Sequence, residues 1–200
     1  MRLGIFGGTF DPPHVGHLIA AVEAFEALAL DRLVFVPAGR QPLKAGRPGA
    51  PAAQRLEMVG LLVGGDDRFA VDSIEIDREG LSYTVDTLTA FAERYPDAER
   101  YFVTGADILK TFDRWRAPEQ VARLARVAVL ERRDGDGEGA GGETDAGRVA
   151  LERGGAVFLR TRRIDVSSTE VRARVLAGKS VRGFVPDAIA AYIDRAGLYR

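Results

Sequence analysis

Apolar and polar positions along this chain switch between two periods, and each switch marks an element. Leu3–Phe6 is a short apolar run ended by Gly7-Gly8, the pattern of a buried strand followed by a tight loop. Beyond Pro12-Pro13, the positions Leu18, Ala21, Val22, Phe25 and Leu28 fall on one face at helical spacing. Arg32–Val36 predicts a second strand, stopped by Pro37. Strand, glycine loop, helix and strand make the βαβ unit of a parallel sheet. Further on, the pattern predicts helices over Gln54–Val63, Thr84–Tyr95, Glu119–Leu124, Ser168–Leu176 and Pro186–Ala196. It predicts strands over Phe69–Ile76, Tyr101–Thr104, Val127–Leu130 and Ala156–Leu159. The expected class is α/β, a doubly wound sheet of five or six parallel strands in a single domain spanning residues 1–200.

One segment breaks the alternation. Asp134–Asp145 holds five glycines and five acidic residues, with no apolar side chain larger than Ala140. Such a stretch buries too little surface to offset its ordering entropy, so residues 134–147 are expected to form a mobile surface loop. Within it, Gly137–Gly142 matches GxGxxG literally. An acidic loop repels a pyrophosphate, however, and no apolar helix opens there, so the match is not taken as a dinucleotide fingerprint. A Walker-type GxxxxGK[ST] occurs nowhere in the chain.

Composition narrows the possibilities. There is no cysteine, which excludes a disulfide framework, a thiolate zinc site and a cysteine nucleophile. The 28 basic and 29 acidic residues nearly cancel, which argues against a protein that coats nucleic acid. The N-terminal apolar run is too short for a signal peptide, and no segment approaches the ~20 apolar residues of a membrane span. A cytoplasmic location is therefore expected, with no membrane partner. Of the basic residues only Lys44, Lys110 and Lys179 are lysines, so a lysine in a special place carries more information than an arginine.

The strongest chemical pattern is GGTFDPPHVGH, residues 7–17, set between the first strand and its helix. Gly7 and Gly8 let backbone N–H groups approach a ligand closely. His14 and His17 lie three apart at the helix mouth, where free N–H groups and the helix dipole already favour an anion. A lone histidine is more often structural than catalytic. These are the chain's only two, though, and both fall in one glycine-rich strand-to-helix loop, which points to polyphosphate chemistry rather than a zinc pair. Later in the chain, Ser168 and Thr169 open a helix and Arg172 follows one turn on, an arrangement equally able to hold phosphate oxygens or simply to cap the helix.

With these residues in place the chain resembles a known group. His14-Val15-Gly16-His17 is similar to the (H/T)xGH motif of the nucleotidyltransferase superfamily, and the longer GGTFDPPHVGH resembles the bacterial nicotinate-nucleotide adenylyltransferases. Val166–Arg172 (VSSTEVR) resembles that family's (I/V)SSTxxR motif, and Gly183–Pro186 through Gly197–Tyr199 its C-terminal helix. The resemblance implies a Rossmann-like sheet of nucleotidyltransferase type with a C-terminal helical end. It also implies that His14, His17, Lys44 and Arg172 serve catalysis. ATP would be bound by Gly7, Gly8, Thr9, Phe10, Gly105, Asp107, Ser167, Ser168 and Thr169. The family commonly carries a histidine just before the lysine, where this chain has Leu43. Tyr83, Thr84 and Trp115 match the segments around the acceptor's pyridine ring and carboxylate, with backbone N–H groups near Thr84 and Trp115 as candidate donors to the carboxylate.

The implied reaction joins ATP to nicotinate mononucleotide, giving nicotinate adenine dinucleotide and pyrophosphate, a step in making NAD. The expected cofactor is Mg²⁺ held by ATP and water, with no metal ligand from the protein. Two alternatives stand beside this. Another mononucleotide or pantetheine-phosphate adenylyltransferase would share the histidine loop, and a non-catalytic nucleotide sensor would share the fold. Oligomeric state is open between monomer and homodimer.

Overall fold

Each apolar run becomes a strand because its two faces are both covered. The computed structural model describes residues 1–40, 49–132 and 146–200. In chain order the elements are β1 (Arg2–Gly8), α1 (Val15–Ala27), β2 (Arg32–Pro37), α2 (Ala52–Val63) and β3 (Phe69–Val71). Next come α3 (Ile74–Asp77), α4 (Thr84–Arg94), β4 (Glu99–Gly105), α5 (Pro118–Leu124) and β5 (Arg126–Arg132). The chain ends with α6 (Ala146–Arg153), β6 (Val157–Thr161), α7 (Ser168–Leu176) and α8 (Asp187–Ala196). Two 3₁₀ turns, Ala106–Lys110 and Phe112–Arg114, follow β4.

Among the described residues six strands form one parallel sheet in the order β3-β2-β1-β4-β5-β6. Strand residues alternate between two cores. Phe6, Leu33, Phe35, Tyr101, Val103 and Leu130 face one core with residues of α1, α2, α7 and α8. Leu3, Ile5, Val34, Val36, Phe102 and Val129 face the other with residues of α4, α5 and α6. Helices on both faces make the sheet doubly wound, as expected. Continuous apolar runs rather than half-polar ones are what a strand buried on both sides requires.

Three boundaries differ from the sequence pattern. Phe69–Ile76 is not one strand: pairing with β2 stops at Val71, and Ile74–Asp77 turns into α3 with Asp72 Oδ1 accepting the Ile74 N–H at 2.9 Å. A short polar side chain bonding the backbone two residues on competes with the ladder. Helix α6 is a short helix next to the acidic stretch that the sequence pattern does not predict; Gly147 and Leu151 are its buried positions. Its first residues, Ala146 and Gly147, were expected in the acidic loop. Gly147 packs so closely on the 3₁₀ turn that a Cβ there would lie 2.0 Å from the Leu109 carbonyl oxygen. The rest of that loop, Asp134–Asp145, lies outside the described residues, as do Leu43 and Lys44. Among the described residues no helix is long and apolar enough to cross a membrane.

Candidate functional site

In an open parallel sheet the ligand crevice lies outside the carboxyl ends of the strands where their order reverses. Here that point falls between β1 and β4, the two strands that run on in opposite directions across the sheet. Gly7, Gly8 and Thr9 leave β1 on one side, and Gly105, Ala106 and the exposed Asp107 leave β4 on the other. Side-chain volume is excluded from the rim. A Cβ on Gly8 would lie 2.7 Å from the Phe10 ring, and one on Gly7 would lie 3.0 Å from Phe102. Phe10 takes φ +50, a left-handed conformation that turns the loop, and its ring is buried between Phe6 and Phe35.

His14 and His17 meet as their spacing predicts. Their rings stack with centroids 3.7 Å apart, and the edge of Phe10 closes the far side of His17 at 5.0 Å. His14, in extended conformation, is the N-cap of α1 and is buried. Its backbone N–H donates to His17 Nδ1 at 3.1 Å. An Nδ1 that accepts fixes the neutral ring as the Nε2–H tautomer. The first amide of α1, Val15 N–H, is taken by the Phe184 carbonyl at 3.0 Å, which anchors the Gly183–Pro186 segment against the site.

Helix α7 brings the second motif to the same place. Ser167 is its N-cap, its hydroxyl accepting from the Glu170 N–H at 3.1 Å. The Ser168 hydroxyl donates to the Pro12 carbonyl at 2.8 Å. Arg172 donates to the Asp11 carbonyl at 2.6 Å and to Thr169 Oγ1 at 3.2 Å. Ser167 thus caps its own helix, and Ser168 ties that helix to the histidine loop. What α7 offers an anion is the amides of Ser168 and Thr169, which have no partner within the helix, together with the remaining guanidinium donors.

The segments that the resemblance ties to an acceptor also converge. The Trp115 ring packs on Phe102 at 6.0 Å and on Phe112 at 5.7 Å, and Phe102 is the side chain beneath Gly7. Tyr83 caps α4, with Arg116 4.8 Å above its ring and paired to Asp86 at 3.6 Å. The candidate donor amides near Trp115 do not include its own. The Trp115 amide is bonded within its own turn, to the Phe112 carbonyl at 3.1 Å, so it has no hydrogen to offer a carboxylate. The amides of Thr84 and Val85 in the first turn of α4 retain that capacity, because the Tyr83 carbonyl receives the next two, Asp86 and Thr87.

Four residues to which the sequence pattern assigned no role, Asp11, Tyr199, Arg55 and Glu75, hold these loops in register. Asp11 Oδ1 accepts from Ala50 N–H at 3.0 Å and Tyr199 O–H at 2.7 Å. Buried Arg55 donates to the carbonyls of Thr9 at 2.7 Å, Ala50 at 3.2 Å and Gly39 at 3.2 Å. Burial pushes its guanidinium below the usual arginine value, against the opposing charge of Asp11. Glu75 accepts from the Thr87 hydroxyl at 2.8 Å and bonds Ser82, whose oxygen receives the Gly39 N–H at 3.1 Å. Asp11 and Tyr199 stood inside quoted motifs, and Glu75 is a lone charge between Ile74 and Ile76. Arg55 carried no signal among so many arginines.

Burial pushes the Glu75 carboxyl above its ordinary value of 4.5, while Thr87, Ser82 and the charges of Arg78 and Arg55 pull it back. The folded chain therefore holds this proton more tightly than the unfolded one. The stability that follows is full below the unfolded pKa and is lost as pH rises through the raised folded value. Glu75→Gln is expected to flatten that loss: urea titrations at about pH 5 and about pH 8 should show a smaller drop in the variant than in the wild type. Equal drops would place the titrating group elsewhere.

A cytidylyltransferase-like family model matches residues 5–174. Over its whole length the chain is 47% identical to a Gemmatimonas aurantiaca protein named a probable nicotinate-nucleotide adenylyltransferase, covering 93% of that protein. It is 42% identical to a Thermus thermophilus protein of the same name, with both chains covered in full. Among solved structures, the nicotinic acid mononucleotide adenylyltransferase of Plasmodium falciparum complexed with NaAD superposes with a TM-score of 0.75. That match spans 99% of this chain and 97% of the other at 15% identity, a likeness of fold.

Proposed function

Because the chain belongs to the nicotinate-nucleotide adenylyltransferase family, within the cytidylyltransferase-like group, we propose that it transfers the adenylyl group of ATP to nicotinate mononucleotide. The products are nicotinate adenine dinucleotide and pyrophosphate. The observation that carries this is the meeting of two helix N-termini, α1 with His14 and His17 and α7 with Arg172, on either side of the Gly7–Asp11 loop. Such a cradle suits a triphosphate, and the Trp115 and α4 face beyond Phe102 suits a flat ring bearing an anion.

An oxygen of the acceptor's phosphate attacks the α-phosphorus of ATP. The bond from that phosphorus to the bridging oxygen breaks, and pyrophosphate leaves with the electron pair. The attacking oxygen is already anionic, so neither a protein nucleophile nor a base is needed. The residues contribute in-line positioning and charge neutralisation, from His17 Nε2–H, Arg172 and the helix amides, with Lys44 proposed as a further phosphate contact. A Mg²⁺ carried on the triphosphate, held by ATP and water, would shield the charge that the protein's donors do not reach.

The test is a panel of acceptors with ATP, read by pyrophosphate release and by the dinucleotide formed. A carboxylate pairs with two N–H donors such as Thr84 and Val85, whereas an amide turns its NH₂ against one of them. A buried donor left unpaired costs ~1–3 kcal/mol, and bonds to a charged acceptor are roughly twice as strong, so the acid should be preferred at least ~100-fold over nicotinamide mononucleotide. Trp115→Ala should raise the KM for the acceptor far more than that for ATP. Equal rates on acid and amide, or equal loss of both substrates in the variant, would place the acceptor elsewhere.

A further inference from the structure

After α8 the chain does not trail away. Gly197, at φ +62, ends the helix, Leu198 is buried, and Tyr199 turns back with φ +62 to present its ring to the histidine loop. A non-glycine residue in that conformation is uncommon and is kept only where its surroundings hold it. What holds it is Asp11, 188 residues away: the Tyr199 hydroxyl donates to Asp11 Oδ1 at 2.7 Å. The same oxygen receives the Ala50 amide, and the other carboxylate oxygen lies against Gly49, where a Cβ would come within 2.1 Å. The carbonyl of Asp11 receives Arg172. One residue therefore joins the histidine loop, the entry to α2, the phosphate-facing arginine of α7 and the end of the chain.

We propose that Tyr199 is a positioning residue of the transfer reaction, acting through Asp11 to hold Arg172 in its reacting arrangement. This rests on the adenylyl-transfer reading. Its physical basis is that Asp11 bonds through both of its ends. Without Tyr199 the carboxylate keeps only the Ala50 amide and can turn about its Cα–Cβ and Cβ–Cγ bonds, which loosens the backbone carbonyl that fixes Arg172. Burial raises the Tyr199 hydroxyl above the ordinary tyrosine value, so it stays a donor at any working pH. A misplacement of about 1 Å at a group that stabilises the transition state is enough to cost up to ~100-fold.

The experiment is steady-state kinetics on the full chain with Tyr199→Phe, alone and combined with Arg172→Ala. Tyr199→Phe is expected to lower kcat by roughly 10–100-fold while the KM for each substrate moves less than about threefold. In the Arg172→Ala background the same change should cost less than about threefold more, because the residue it acts through is gone. Asp11→Asn keeps an oxygen for both bonds and should retain most of the turnover, whereas Asp11→Ala should match Tyr199→Phe. That Asp11 pair carries the test if Tyr199→Phe fails to fold. A kcat within twofold of wild type in Tyr199→Phe, or an undiminished loss in the double variant, would overturn the proposal. A wild type that makes no dinucleotide from nicotinate mononucleotide would instead overturn the reaction it rests on.

Discussion

Replacing His17 by Ala is expected to lower turnover by roughly 10²–10³ while leaving circular dichroism and the unfolding midpoint near those of the wild type. The ring is only partly buried, and the His14 amide on Nδ1 sets its tautomer, so the substitution removes the Nε2–H proposed above as a phosphate donor. Charge grows on the phosphate oxygens as the pyrophosphate departs, and a fixed N–H there is worth most at that moment. The effect should therefore fall on kcat rather than on the KM for ATP. His17→Gln offers an N–H at a different reach and should recover part of the loss. Near-normal turnover in a folded His17→Ala variant would remove His17 from the chemistry.

Arg55→Met is expected to have the largest effect on stability, about 3 kcal/mol or more, measured by urea unfolding followed through Trp115 fluorescence. Three carbonyls, from the loop after β1, the loop after β2 and the entry to α2, converge on one buried guanidinium. Methionine fills comparable volume but gives those carbonyls no donor. Each charge-assisted bond is worth ~1.5–3 kcal/mol, partly offset by no longer having to desolvate the cation. Arg55→Lys should rescue little, because a compact ammonium cannot reproduce a planar fork that spans three loops. A loss below about 1 kcal/mol in Arg55→Met would mean that the loops are held by their own backbone bonds.

The sequence by itself determined the class of fold and the chemical motifs. A strand buried on both faces must be apolar throughout, so Leu3–Phe6, Arg32–Val36 and Val127–Leu130 could be read without knowing their neighbours. Glycine and proline mark turns through their own backbone, and the two histidines share a helix mouth because they lie three apart. These are local facts, and local facts survive folding: the His14–His17 stack is what the spacing implies.

The remaining features come from contacts of the folded chain, most of them between its distant parts. The end of β3 was set by an Asp72 side chain competing for the backbone, and the start of α6 by the close packing of Gly147 on Leu109. The Trp115 amide, open to a ligand as far as the sequence goes, is closed by a turn whose partner is three residues away. The ties that align the site belong to pairs far apart in the chain: Asp11 with Tyr199, Arg55 with Thr9, Ser168 with Pro12. A hydrogen bond of this kind depends on where the sheet places two loops. The two residues' own sequence neighbourhoods carry no period or composition that reports it.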